Sequence, residues 1–368
     1  MSVLLMVHFE SLRECFVPAL THVENVIRIL QSSTMFDARK VDPSLIRSVM
    51  RLDIQGSLYL GMRIPGLPFY TAATEGSLLA PLHDLSQARD VVNVWTCRLF
   101  HFMRSEADDH KFKEVGGVPL EKLAKSHELV QTFIDLEQLL WDFMQKPTLR
   151  LTTREQHGLG ILRSRVKSNK ILAATCLYSE ATMFDAFLED FKELLTISKY
   201  IMTSDPADRR LFSVSLDEGL LHPLFFVATH CRDSPTRHEA LAQLQKLPQS
   251  DGSPRGVWHL EVMIRTAEIC VRFEEAGINK ASPSCSDIPE WRRVHSAGFD
   301  RWNMSPSSER QTVQAHIRFR PNGVDGEWAD YCETIDWCVI SQDVPGVAER
   351  QLIMLHDQLG QCGTHQLE

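Results

Sequence analysis

Apolar residues recur at three- and four-residue steps over most of this chain, and that spacing predicts helices. The clearest run is Leu85 to Arg104, where Leu85, Ala88, Val91, Val92, Trp95, Leu99, Phe102 and Met103 form one stripe. Leu120 to Met144 predicts a second long helix, with Leu123, Val130, Phe133, Ile134, Leu140, Trp141 and Met144 inward. Val3 to Leu12 and Pro18 to Leu30 predict two shorter helices joined near Glu14-Cys15-Phe16, and Val41 to Leu60 a third that starts at Asp42-Pro43. Ile161 to Tyr178, Phe184 to Met202, Leu216 to His230, Pro235 to Leu244 and Val257 to Ala276 complete the helical set. Phe184, Phe187, Phe191, Leu194 and Leu195 share one side, opposite Asp185, Glu189, Lys192, Glu193 and Lys199. That phenylalanine stripe reads as core packing.

Near the end the period shortens to two. In TVQAHIRFR, Val313, Ala315, Ile317 and Phe319 alternate with Gln314, His316, Arg318 and Arg320, which predicts a half-buried strand. Arg293 to Phe299 is its expected partner, and the polar connection DRWNMSPSSER implies a loose hairpin. Gly323 to Ile340 fits neither period cleanly. Tyr70 to Pro81, Gln249 to Pro254 and Ile278 to Pro289 read as irregular connections, and the last dozen residues as a fraying end. No short repeat of fixed sequence stands out, although helix pairs of this kind can stack as a solenoid. The pattern predicts a mainly α fold, an array of packed antiparallel helix pairs with a small C-terminal β-hairpin. Its expected divisions are a helical region at 1–277, a hairpin element packed on the helices at 278–342 and a tail at 343–368.

Composition narrows the classes. The chain has 368 residues, 43% hydrophobic and 24% charged, which is ordinary for a globular protein. A formal net charge of −9 argues against a broad face that neutralises phosphates. Apolar runs such as Ser2 to Val7 and Pro223 to Ala228 fall far short of the ~20 residues of a spanning helix. His8 and Glu10 interrupt the first run, and no basic region precedes it, so no signal peptide is expected. The nine cysteines are scattered and odd in number, with no C-x-x-C, and several sit in apolar helical surroundings. Reduced, buried thiols in a reducing compartment are the expectation.

The stretch HPLFFVATHCRDSPTRH, from His222 to His238, holds three histidines and a cysteine. A structural zinc site needs four converging ligands, usually as close pairs. His222 and His230 are eight apart and share a helix face only loosely, and Cys231 points elsewhere. The stretch reads better as a helix end and a helix start. His230 suits a C-terminus, Ser234 an N-cap and Pro235 the first helical position.

The longer segment LHPLFFVATHCRDSPTRHEALAQL resembles part of the regulatory domain of fungal zinc-cluster transcription factors, whose DNA-binding head holds two zinc ions with six cysteines. Pro223 to Thr229, Cys231-Arg232-Asp233, Arg237 and Glu239-Ala240 carry the match, with Gly256-Val257-Trp258 following. His230 stands where that family is expected to have a Lys. LLMVHFESLRECFVPALTHVENVIRIL is similar to the family's first paired helices, and RLDIQGSLYLG at Arg51 to Gly61 to its next helix. LYSEATMFDAFLEDFKELL at Leu177 to Leu195, VQAHIRFR, and ETIDW at Glu333 to Trp337 resemble later segments in the same order. The resemblance implies a nuclear regulatory module that acts through protein partners of the transcription machinery, a full-length regulator, a small effector or a second copy of itself. The six-cysteine head has no counterpart in this sequence, so zinc binding and direct nucleic-acid contact are not carried over.

Other chemistry reads as surface. Ser105 to His110 concentrates acid beside a histidine, but Phe112 breaks an Asp-Asp-x-x-Asp pattern, and an exposed acidic loop is expected. Arg163, Arg165, Lys167 and Lys170 are expected on a solvated helix face, and Arg292, Arg293, Arg318 and Arg320 likewise on the hairpin. No Walker A stretch, strand-borne G-x-G-x-x-G or G-x-S-x-G elbow occurs, and HGLG at His157 to Gly160 completes none of them. The sequence therefore assigns no catalytic, cofactor-binding or metal-ligating residue and no cofactor, and it predicts a non-catalytic protein. A helical enzyme or a cytosolic helical scaffold are the alternatives.

Overall fold

The structure, a computed structural model, describes residues 2–12, 16–31, 42–60, 63–66, 80–112, 117–146, 149–203, 219–247, 260–303 and 310–338. Within them the chain is mainly helical, with a three-stranded antiparallel sheet near the C-terminus. The helices are α1 (Ser2–Leu12), α2 (Phe16–Gln31), α3 (Pro43–Leu60), α4 (Leu85–Phe102), α5 (Asp108–Phe112), α6 (Leu120–Met144), α7 (Thr153–Thr175), α8 (Leu188–Met202), α9 (Leu221–His230), α10 (Ser234–Lys246) and α11 (Leu260–Glu275). A π-helical turn, Met103–Ala107, joins α4 to α5, and a 3-10 helix, Ala181–Phe187, leads into α8. The strands are β1 (Val294–Asn303), β2 (Arg310–Phe319) and β3 (Ala329–Cys338), in the order β1-β2-β3.

Local chemistry accounts for the helix starts. Asp84 caps α4 by accepting from the Gln87 N–H, and Asp42 accepts from Ser44 ahead of α3. Thr152 and Glu155 form a reciprocal capping box on α7, which therefore begins eight residues before the expected Ile161. Asp233, not Ser234, caps α10, and Ser234 instead donates its N–H to the Pro283 carbonyl at 2.9 Å. The hairpin is a three-strand meander, because β3 pairs with β2 in unbroken register from Arg310↔Cys338 to Phe319↔Ala329. Strands also extend into the polar connection as far as Asn303 and from Arg310.

The helices pack as expected, with one face displaced. In α6 the buried stripe is Leu129, Phe133, Leu136, Leu140 and Phe143, whereas Ile134 and Trp141 are 43% and 50% exposed. Leucine and phenylalanine at alternating three- and four-residue steps take the seam, and the predicted set straddled its edge. Polar contacts give the directions. Ser126 of α6 donates to the Ala173 carbonyl of α7 and Glu137 meets Lys167, so these helices run antiparallel. Arg163–Glu193 and Gln156–Tyr200 set α8 antiparallel to α7, while Arg165–Asn93 and Asn169–Thr96 set α4 parallel to it. Val262, Ile269 and Cys270 of α11 pack on Val294, Val313, Ala315, Ile317 and Ile335, covering one sheet face. No helix of the described residues is long and apolar enough to cross a membrane.

The expected loop at 249–254, the Gly256-Val257-Trp258 match, Cys15, Cys362 and the tail at 343–368 lie outside the described residues. Cys97, Cys176, Cys231 and Cys270 are buried free thiols, as anticipated, while Cys285 is half-buried and Cys332 exposed.

Candidate functional site

The three histidines of the opening stretch go to three different places. His222, buried in the first turn of α9, stacks on Phe226 with ring centroids 6.1 Å apart and planes 13° apart. Burial, helped by the charge of Arg165, drives its pKa down to about 3. His230 ends α9, with its ring 4.8 Å from Phe184 and its Nδ1 2.8 Å from the Thr229 hydroxyl. His238 is exposed on α10, with Nε2 2.9 Å from Glu275. Among the described residues no group with metal-ligand geometry includes any of them.

The arginines of the same stretch are internal. Arg232 and Arg237 are fully buried and grip opposite oxygens of the fully buried Glu274 on α11, at 2.8 and 2.7 Å. Glu274 also accepts from the Val294 N–H at 2.6 Å. Arg232 donates to the carbonyls of His230 and Val294, and Arg237 to that of Ala228. Burial alone would raise the Glu274 pKa; the two guanidinium charges outweigh it and hold the carboxyl ionised. One carboxylate thus fastens the end of α9, the start of α10, α11 and β1.

The fold buries half of each basic run expected at the surface, Arg165 and Lys167 of the first and Arg293 and Arg320 of the second. Lys167 is buried and meets Glu137, Asp190 and Glu193 at 2.6, 2.8 and 2.8 Å. Lys170 meets Glu137 and Asp190, Arg163 meets Glu193, and buried Arg165 donates to Asn93. Burial opposes the Lys167 charge, but its hydrogen bonds to Asp190, Glu137 and Glu193 outweigh that and raise its pKa. Buried Arg293 makes two parallel hydrogen bonds to Asp185. Buried Arg320 lies 4.1 Å over the Trp328 ring, and Arg318 pairs with Asp330. Burial of cations costs too much without such partners, so a charged helix face that meets two other helices becomes an ion-pair layer.

The acidic stretch Ser105 to His110 is helical rather than a loop, and Glu106 and Asp108 are matched by cations. Arg104 pairs with Asp108, and Glu106 with Lys122 and Lys125. The π turn at 103–107 adds a residue to one turn of the helix there. Such turns recur at functional sites. This one delivers Lys111 and Phe112 to a junction the sequence did not reveal.

At that junction Lys111 Nζ lies 5.5 Å from the Phe112 ring and 5.7 Å from the Phe184 ring. Phe112 meets Trp328 at 5.4 Å, and Trp328 meets the buried His295 edge-on at 5.0 Å. Arg232 lies 5.7 Å over the Phe184 ring from the inner side. Glu290 accepts from the Ala181 and Thr182 N–H groups at 2.7 and 2.9 Å and lies 3.1 Å from His295 Nε2. Desolvation lowers the Lys111 pKa to about 8; Cys176 and Asp108 oppose the shift, and Arg104 and Arg232 add to it. Burial also lowers His295 and, with Arg232 and Lys111, drives His230 well below its ordinary value. Perturbed titratable groups beside aromatic walls mark a candidate binding site. The only local signal for it was the Lys111-Phe112 pair; its other members come from positions around 184, 230, 295 and 328.

A concavity of about 430 Å³ lies elsewhere, between α11 and the sheet. Phe273 packs on Phe319 and Tyr331 in its floor, and Trp291 and Tyr331 stand 47% and 41% exposed at its rim. No family model, curated protein or solved structure matches this chain.

Proposed function

We propose that this chain is a non-catalytic helical regulatory module of the fungal zinc-cluster transcription-factor type, working in the nucleus through protein partners or a small effector. The observation that carries the reading is the fate of the resembling segment. Its charged residues, Arg232, Asp233 and Arg237, are spent on one carboxylate and one helix cap, so the motif serves as an internal frame rather than as reactive chemistry. The aromatic rim of the α11–sheet cleft supplies the kind of exposed surface at which partners dock, since aromatic residues are enriched at interface centres. Binding at such a surface would act by favouring one arrangement of the module over another.

A reporter assay tests this. The full chain fused to a foreign DNA-binding domain should change transcription from the matching promoter, and a fluorescent fusion should enter the nucleus. A fusion that stays cytosolic and leaves the reporter unchanged would favour the scaffold reading. The lowered Lys111 pKa is the one observation that favours an enzyme, and turnover abolished by Lys111→Met would establish that alternative.

A further inference from the structure

We propose that the junction of α5, the 3-10 helix and the sheet is a binding site for a small carboxylate with an aromatic or apolar body, held by Lys111. This names the chemistry of the effector in the reading above and rests on its effector arm alone; it stands whether or not the chain acts on transcription.

Three observations converge. First, four carboxylates of the surrounding described elements are already engaged. Asp108 is held by Arg104, Glu274 by Arg232 and Arg237, Asp330 by Arg318, and Glu290 by two backbone N–H groups and His295. Lys111 has no carboxylate at ion-pair distance among the described residues, and the cations Arg104 and Arg232 act on it. A buried or half-buried ammonium without a counter-ion is costly, and a ligand anion would remove that cost.

Second, hydrogen-bonding atoms without partners gather here. His295 is 3% exposed and its Nδ1 makes no hydrogen bond; the Trp328 Nε1–H and the Arg104 Nε–H are also buried and unsatisfied. Buried polar atoms nearly always find partners, so the two N–H donors among these, on Trp328 and Arg104, point to a missing acceptor. An indole N–H and a guanidinium N–H can only donate.

Third, the walls are aromatic. Phe112 touches both the Lys111 ammonium and the Trp328 ring, and Phe184 forms the inner side. Lys111, Phe112 and Trp328 are each only part-buried, so the site is reached from solvent. A few convergent polar groups on an apolar, aromatic surface are the usual make-up of a small-molecule site. A ring acid fits this description better than inorganic phosphate, which would leave the aromatic walls unused.

The test uses the purified full chain and benzoate as the probe, with benzamide as its uncharged match and inorganic phosphate as its ring-free match. Calorimetry should show benzoate binding, with benzamide and phosphate at least about tenfold weaker, the discrimination expected from one charge-assisted contact. Lys111→Met should weaken benzoate by a similar factor, and Lys111→Arg should keep most of it. Should Lys111→Met not fold, benzoate should slow acylation of Lys111 in the native protein several-fold relative to the ion-paired, part-exposed Lys122, read by peptide mass mapping. Equal affinity for benzoate and benzamide, unchanged binding by Lys111→Met, or unprotected Lys111 would each overturn the proposal. Phosphate binding as tight as benzoate would replace it with a simple anion site. Loss of the reporter response with benzoate binding intact would sink the transcriptional reading and leave this one standing.

Discussion

Arg293 and Asp185 are joined by two parallel hydrogen bonds of 2.6 and 2.8 Å, across 108 residues of sequence. The pair ties the residue before β1 to the 3-10 helix that leads into α8, and Arg293 also donates to the carbonyls of Ile288 and Cys285. Planar guanidinium and carboxylate groups match in shape, which makes such a fork both strong and directional. Asp185→Asn leaves the charge of a buried guanidinium uncompensated and should cost about 3 kcal/mol in urea denaturation. A loss under about 1 kcal/mol would mean the carbonyls alone satisfy Arg293.

Glu274 should be the costlier loss, because two buried arginines depend on it. Glu274→Gln is expected to destabilise the chain by about 4 kcal/mol. Replacing the whole triad by apolar residues, Arg232→Met with Arg237→Met and Glu274→Leu, should recover much of that, since no unpaired charge then remains. A triple variant as unstable as the single one would show that the triad's backbone contacts, not its charges, hold the four elements together.

Lys167 fills the centre of three carboxylates whose oxygens lie within 4.8 Å of one another, Glu137, Asp190 and Glu193. Removing this ammonium together with that of Lys170, which meets Glu137 and Asp190, should destabilise the protein and leave a set of oxygen ligands for a hard cation. The double variant Lys167→Ala with Lys170→Ala should therefore gain thermal stability with added calcium, whereas the parent should not. The gain follows RT ln(1 + [L]/Kd), so a melting temperature flat across millimolar calcium would reject the idea.

His222 makes stability depend on pH. Its folded-state pKa, about 3, lies below the ordinary 6.5, so the folded state resists a proton that the unfolded chain accepts. Stability is complete above pH 6.5 and falls as pH drops from there toward 3, by about 2 kcal/mol at pH 5 from this group. In His222→Phe, the difference in unfolding free energy between pH 7.5 and pH 5 should shrink by that amount. An unchanged difference would place the acid sensitivity elsewhere.

Much of the architecture could be read along the chain, because it rests on local causes. Apolar stripes at helical spacing place α4, α6, α8 and α11, and alternation places β2, all within a few residues of where they form. The reading of His222 to His238 as a helix end and a helix start also follows from neighbours in sequence, and the structure moves the cap by one residue. What only the tertiary structure decided is the fate of the charges. Arg165, Lys167, Arg293 and Arg320 look in sequence like solvent-facing cations, yet each is buried, as are Arg232 and Arg237, whose surroundings the sequence did not foretell. Their ion-pairing, hydrogen-bonding or stacking side chains stand elsewhere in the chain, from 8 to 108 residues away. A cation's position in the chain carries no information about which anion the fold will bring to it. The Lys111 junction was hidden for the same reason, since its ammonium, aromatic walls and unsatisfied donors converge only when α5, the 3-10 helix and the sheet have packed.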